Sequence, residues 1–232
     1  MGSFAVAYFP SWQKKGSPQV DDLTMPYRLF YADRSAAMGA RVILEEIGEA
    51  YDLIEIEIGV GMPRAPELLA LNPNGWVPVL VWEHGAIYEC AAIVIFLCDR
   101  NPQCQLAPSV DHPDRGRFLQ WLFFFSSSLQ TAYQMTYYAD RFCASKDDED
   151  TVQRRSIKRL PELWQVIDNA IGDGEWMLGQ KFSAADIYLF MLTTWLSEER
   201  DHPSVEEFPN VSRVANAVLK RPAVQKVYQP LS

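Results

Sequence analysis

The side chains best suited to chemistry here are a few arginines, tyrosines and nucleophiles, and their spacing excludes more reactions than it selects. Arg34 and Arg64 each carry a guanidinium able to pair with a carboxylate through two parallel bonds. They are candidates for holding an acidic group, solvated surface arginine being the plainer alternative. Tyr133 and Tyr137, with Tyr138, Met135 and the Phe123-Phe124-Phe125 run, can line an apolar substrate cleft. Core packing or a subunit face would use the same residues. Histidine chemistry has only His84, His112 and His202 to draw on, the last two directly before prolines. Cys90, Cys98, Cys104 and Cys143 form no CxxC pair and no His/Cys spacing suits zinc, so no metal is expected. No glycine-rich phosphate loop of Walker spacing, no Ser/His/Asp set and no carboxylate pair placed for glycoside chemistry is found.

The elements that must position these groups fall into two halves. Residues 1–25, with Pro10, Gly16 and Pro18, read as an irregular N-terminal extension. Tyr27 to Ala32 is a short β-type run. After a loop at Asp33 to Ser35, the residues Val42, Leu44, Ile47 and Tyr51 recur near helical spacing. LIEIEIGV then alternates Ile54, Ile56 and Ile58 with Glu55 and Glu57, the mark of a strand at or near a sheet edge. Pro66 to Leu71 predicts one or two helical turns before the turn-favouring Asn72-Pro73-Asn74-Gly75. Two short strands, VPVLVWE and AIYE, joined at His84-Gly85 as a tight hairpin, precede a helix from Cys90 to Asp99.

This order fits a thioredoxin-like α/β domain with a four-stranded mixed sheet, the first two strands parallel through a right-handed crossover and the last two antiparallel. Beyond Pro108 nearly everything to residue 229 is helical in period or composition, broken by KDDED, an acidic cluster read as loop, by GDGEWMLGQ and by HPSVEEFP. A thioredoxin-like domain at 26–107 followed by an all-helical domain at 108–232 is expected, the linker lying at about 101 to 113.

Of the 232 residues, 48% are apolar and 22% charged, which suits a folded globular chain. With 30 acidic against 21 basic side chains the net charge is −9, a field that repels phosphate backbones and anionic lipid, so neither nucleic acid nor membrane is an expected partner. The opening residues lack the basic-then-apolar order of a signal peptide, and no segment reaches about 18 uninterrupted apolar residues. Reduced cysteines and a cytoplasmic location are the corresponding expectation.

Asn72-Pro73-Asn74-Gly75-Trp76-Val77-Pro78-Val79-Leu80 resembles the turn and third strand of cytosolic glutathione S-transferases, which carry NPxGxVPxL there. Glu89-Cys90-Ala91-Ala92-Ile93 is similar to their ESxAI, and Phe182-Ser183-Ala184-Ala185-Asp186-Ile187 to their buried helix start. The run from Gln120 to Gln130 is similar to the helix opening the second domain of bacterial beta-like members. The resemblance covers about residues 27 to 225. It implies a cis Pro78 that turns the backbone of Val77 toward the cysteinyl backbone of glutathione, as an added strand. Glu89 would meet the γ-glutamyl ammonium and the N–H of Cys90 the carboxylate, with Trp76 and Arg64 completing the glutathione site. Cys90 replaces the family's serine and is the poorer donor.

The family works by stabilising the glutathione thiolate. Alignment puts its Ser/Cys donor position at Ala36, which has no donor, leaving Ser35, Tyr31 or backbone N–H groups at the helix start. An N-cap role is the bland reading of Ser35, and a core aromatic that of Tyr31. Gln130 stands where beta-class enzymes have histidine. Ser183 and Asp186 are expected to cap one helix reciprocally, with Phe182 packing on Ile187. The resemblance thus implies a homodimeric glutathione transferase attacking an electrophilic, largely apolar small molecule, glutathione being the co-substrate. A catalytically weak binding or scaffold protein that retains glutathione is the alternative.

Overall fold

The computed structural model describes residues 26–59 and 61–228, so the extension expected at 1–25 lies outside the described residues. Four strands, β1 (Tyr27–Tyr31), β2 (Tyr51–Glu55), β3 (Val79–Trp82) and β4 (Gly85–Tyr88), form one mixed sheet in the order β2-β1-β3-β4. β1 runs parallel to β2 and antiparallel to β3, and β3 is antiparallel to β4. This is the thioredoxin-like topology expected, with β2 at an edge.

Period-2 alternation sends neighbouring residues of β1 to opposite faces. Leu29 and its partner Leu80 pack with Val42, Ile43 and Leu44 of α1 (Ala37–Ile47) and Ile93, Val94 and Leu97 of α3 (Cys90–Arg100). Phe30 and its partner Val79 pack on the other face with Ile56, Val77 and Leu68 of α2 (Pro66–Leu71). The helix predicted through Tyr51 ends earlier. Gly48 adopts a left-handed conformation (φ 73°) and its N–H closes on the Leu44 carbonyl at 3.1 Å, so Tyr51 opens β2 instead. The β3–β4 turn sits one residue before the expected His84-Gly85, because Trp82 pairs with Gly85 and leaves Glu83-His84 at the tip.

The second half holds α4 (Arg115–Phe124), a π-helical turn at Phe125–Leu129 and α5 (Gln130–Tyr137) in sequence, then α6 (Glu149–Ile171), α7 (Ala184–Thr193), α8 (Pro209–Leu219) and α9 (Pro222–Tyr228). The acidic cluster read as loop is partly helical: Glu149 and Asp150 form the first turn of α6, where negative charge faces the positive helix end. α7 is apolar nearly all round and buried through nine of its ten residues, as a central helix must be. One buried cluster runs from the sheet through α1 and α3 into α7 and α8. Glu46 pairs with Arg221 at 2.6 Å and Glu45 with Lys226 at 2.6 Å, tying α1 to the chain's last helices. No helix among the described residues is long and apolar enough to cross a membrane.

Candidate functional site

Strand register brings several of the sequence-predicted site residues to one end of the sheet. Phe30 pairs with Val79 and Val79 with Tyr88, so the end of β1, the start of β3 and the end of β4 coincide. Ser35, Val77-Pro78 and Glu89-Cys90 all leave from that end.

The turn before β3 is built by Asn72, buried to 3% exposure, which accepts from the Asn74 N–H (3.1 Å) and donates to the Trp76 carbonyl (2.8 Å). Gly75 takes a positive φ of 69°, and a Cβ there would meet Arg64 Cγ at 2.9 Å, so glycine is required twice over. The Val77–Pro78 peptide is cis, as the resemblance implies. Among the described residues neither the N–H nor the C=O of Val77 has a hydrogen-bond partner. Trp76 lies under two guanidiniums, Arg64 at 4.9 Å and Arg141 at 4.4 Å, and meets Tyr138 edge-on at 5.0 Å. Arg64 also donates to the carbonyls of Gly59 (3.3 Å) and Met62 (3.2 Å).

Glu89 is exposed and stands at φ 74°, ψ 116°, a conformation that side chains rarely adopt. It opens α3 without a side-chain cap, leaving the first N–H groups of the helix free among the described residues. The Cys90 side chain does not join this site. Its thiol is buried at 3% exposure and donates to the Ala36 carbonyl at 3.3 Å, and burial pushes its pKa up to about 12. Only the Cys90 N–H remains on the open side, because the first turn of α3 points that side chain into the core.

Ser35 is half-buried. Its hydroxyl donates to the Ala32 carbonyl (2.7 Å) and accepts from the Ala37 N–H (3.2 Å), the bland capping arrangement. Tyr31 is half-buried on the sheet face covered by α1, with Arg41 at 6.0 Å from its ring.

The two tyrosines expected to line a cleft part company. Tyr133 is 1% exposed, its hydroxyl accepts from Trp164 Nε1 at 3.2 Å, and burial raises its pKa well above the ordinary value. It is a core residue facing α6, not pocket lining. Tyr137, one turn on, is half-buried: it donates to the Trp195 carbonyl at 2.8 Å and carries Arg200 over its ring at 4.7 Å. Burial raises its pKa, and the charges of Arg200 and Arg34 oppose that. Arg141 and Arg200 carry no mark in the sequence. Both sit on or at short 3-10 turns, Ala139–Arg141 and Glu198–Arg200, which have no periodic signal.

Away from this end, the expected reciprocal cap is present. Asp186 accepts from the Ser183 N–H (2.8 Å), the Ser183 hydroxyl (3.2 Å) and the Met177 N–H (2.7 Å), while Ser183 Oγ accepts from Ala185 (3.2 Å). Phe182 packs edge-on to Trp176 at 5.1 Å beneath Arg221 at 3.8 Å.

Residues 35–100 match the family description "Glutathione S-transferase, N-terminal domain" and residues 132–229 match "Glutathione S-transferase, C-terminal domain". The chain belongs to the glutathione S-transferase superfamily. Among similar proteins is glutathione S-transferase GstA of Escherichia coli O157:H7, 26% identical over 200 residues that span 85% of this chain and 95% of that protein. The transcriptional regulator URE2 of Saccharomyces cerevisiae is 28% identical, over 86% of this chain and 67% of its own length. A glutathione transferase homologue from Sulfitobacter, solved with bound glutathione, shares the fold with a TM-score of 0.80 at 19% identity, over 87% of this chain and 96% of that one.

Proposed function

We propose that the protein binds glutathione at the shared end of β1, β3 and β4 and uses its thiolate to attack an electrophilic, largely apolar small molecule. The observation that carries this is that one end of the sheet presents two sets of backbone groups without a partner among the described residues: those of Val77 and those opening α3 beside Glu89. Val77 extends the sheet by pairing with the cysteinyl backbone. Glu89 meets the γ-glutamyl ammonium and the N–H groups from Cys90 onward its carboxylate. Arg64, steadied on Trp76, faces the glycine carboxylate. The thiol then lies toward the end of β1, near Ser35 and the start of α1. There the thiol proton passes to solvent, the sulfur pair forms the C–S bond, and the displaced group leaves with the bonding electrons. The halves 26–107 and 108–232 supply the glutathione wall and the opposite wall, and a homodimer belongs to the same reading, tested by sedimentation.

One observation favours a second reading, a glutathione-binding protein with weak catalysis. The hydroxyl hydrogen of Ser35 is given to Ala32, and Ala36 offers no donor. Calorimetric titration with reduced glutathione followed by a turnover assay with a generic aryl halide separates the two. Binding with turnover supports the transferase, binding alone the second reading, and no binding removes both.

A further inference from the structure

His202 is a buried titratable group that the site above does not use. It is 5% exposed, and among the described residues neither ring nitrogen has a hydrogen-bond partner. The ring stands edge-on to two rings of α5, Tyr133 at 5.7 Å and Tyr137 at 5.7 Å, and Trp195 meets Tyr133 in the same way at 5.5 Å. Such a setting suits a neutral imidazole, which packs as an aromatic, and disfavours a charged one, which needs acceptors for two N–H groups. Burial accordingly lowers the His202 pKa. The Trp195 backbone opposes this, its carbonyl being already taken by the Tyr137 hydroxyl at 2.8 Å, while the Arg200 charge adds to it and the Asp201 charge opposes it. From α5 the titratable groups that face the ring are Tyr133 and Tyr137, both kept neutral because burial raises their pKa values. Behind Tyr133 lies Trp164 of α6, which does not titrate.

The segment that carries His202, residues 194–208 between α7 and α8, holds two single 3-10 turns, Glu198–Arg200 and Val205–Glu207. Among the described residues every hydrogen bond made by residues 197–207 stays within the segment. Three contacts tie it to α5: the His202 ring between its two tyrosines, the Tyr137 hydroxyl on the Trp195 carbonyl, and the Arg200 guanidinium 4.7 Å from the Tyr137 ring. All three converge on Tyr137. A segment with so few bonds to its surroundings is of the kind that opens locally, below the energy of global unfolding.

We propose that residues 194–208 form a proton-operated latch: the neutral ring of His202, seated between Tyr133 and Tyr137, keeps the segment closed on α5, and proton uptake by that ring opens it. On opening, Tyr137 loses the acceptor of its hydroxyl and the cation on its ring together. In the open segment the imidazole meets water and titrates near its ordinary value of about 6.5, whereas in the closed segment it titrates lower. The closed form is thus fully favoured above about pH 6.5. Below that it loses up to about tenfold per pH unit, until the pH reaches the closed-state value. Asp186 of α7, titrating at about 6, acts with the opposite sign, since its protonation favours the native state.

Hydrogen exchange read by mass spectrometry tests this on the full chain, each rate being divided by the intrinsic chemical rate at that pH. From about pH 8 to about pH 6.5 the protection of peptides within 194–208 should stay level. By about pH 5.5 it should fall several-fold, up to about tenfold, while α6 keeps its protection. His202→Phe, which keeps a ring between the tyrosines and takes no proton, should give a level profile throughout. Level protection in the wild type, the same fall in the phenylalanine variant, or a fall shared by α6 would each overturn the latch. If that variant does not fold, the His84→Gln/His112→Gln variant decides, because His202 is then the one histidine left of three. An imidazole proton resonance titrating below about 6.5 supports the latch, and one titrating at or above that value overturns it.

Discussion

Two helix starts in this protein, those of α3 and α7, solve the same physical problem in opposite ways. Each helix begins with N–H groups that have no partner within the helix. At α7 the chain closes the problem: Ser183 and Asp186 cap one another, Met177 donates to the second carboxylate oxygen, and the whole arrangement is buried. At α3 it is left open: among the described residues Glu89 makes no side-chain cap, it is exposed, and it holds a backbone conformation that glycine would tolerate better. A stable fold gains from the first arrangement and loses by the second, so the open end is where a ligand is to be sought. The same division predicts that substitutions at α7 act on stability and substitutions at α3 on binding.

The largest effect is expected at the closed end. Asp186→Ala leaves three buried donors without an acceptor and should cost roughly 3 to 5 kcal/mol of stability, read from the urea midpoint. The folded fraction should bind glutathione as before. A loss under about 1 kcal/mol would break the comparison at its firmer side. Burial also holds the Asp186 pKa up at about 6, although its hydrogen bonds pull the other way. In the unfolded chain an aspartate titrates near 3.9. The native state therefore keeps this proton longer, so the contribution is fully present below about pH 3.9 and is lost as pH rises through about 6. Asp186→Asn should flatten that part of the stability profile.

At the open end the order reverses. Glu89→Gln should weaken glutathione binding by roughly 1.5 to 3 kcal/mol, as for a hydrogen bond to a charged group, with the urea midpoint unmoved. Unchanged affinity in calorimetry would take Glu89 out of the site. Glu89→Gly sharpens the test because two effects separate. Relief of the positive φ should stabilise the fold by up to about 1 kcal/mol, while the lost carboxylate should weaken binding at least as much as the glutamine does. A variant less stable than wild type would show that the Glu89 conformation is not strained.

What the sequence discloses follows the range of the interactions involved. The capping box is a relation between residues three apart, and the turn into Pro78 is a contiguous run, so both are legible in the order of residues alone. Gly48 is a local signal too, outweighed by the helical spacing of Tyr51 from Ile47. Tyr133 and Tyr137 are four apart and share a helix face, so pattern gives them one role. What divides them is that α6 covers the first with Trp164 while the second lies at the last turn of α5. The inward turn of Cys90 depends on the backbone at Glu89, and the stacking of Arg141 and Arg200 on partners from distant segments, neither of which leaves a periodic trace.

Ser35 stands between the two cases, and its effect should be the smallest. It caps the start of α1 by its own hydroxyl, as Ser183 does at α7, yet it lies at the end of the sheet proposed to hold glutathione, as Glu89 does. Ser35→Ala should therefore lose about 0.5 to 1 kcal/mol of stability, the worth of a modest cap. Its effect on the thiol is the discriminating quantity. If the hydroxyl swings from the Ala32 carbonyl to the sulfur when glutathione binds, the variant's thiolate absorbance should titrate about one pH unit higher, since a unit is worth 1.36 kcal/mol. A titration curve that does not move would leave the thiolate to the backbone N–H groups of α1. Ser35 would then be a cap and nothing more, placing this helix start with α7 rather than α3.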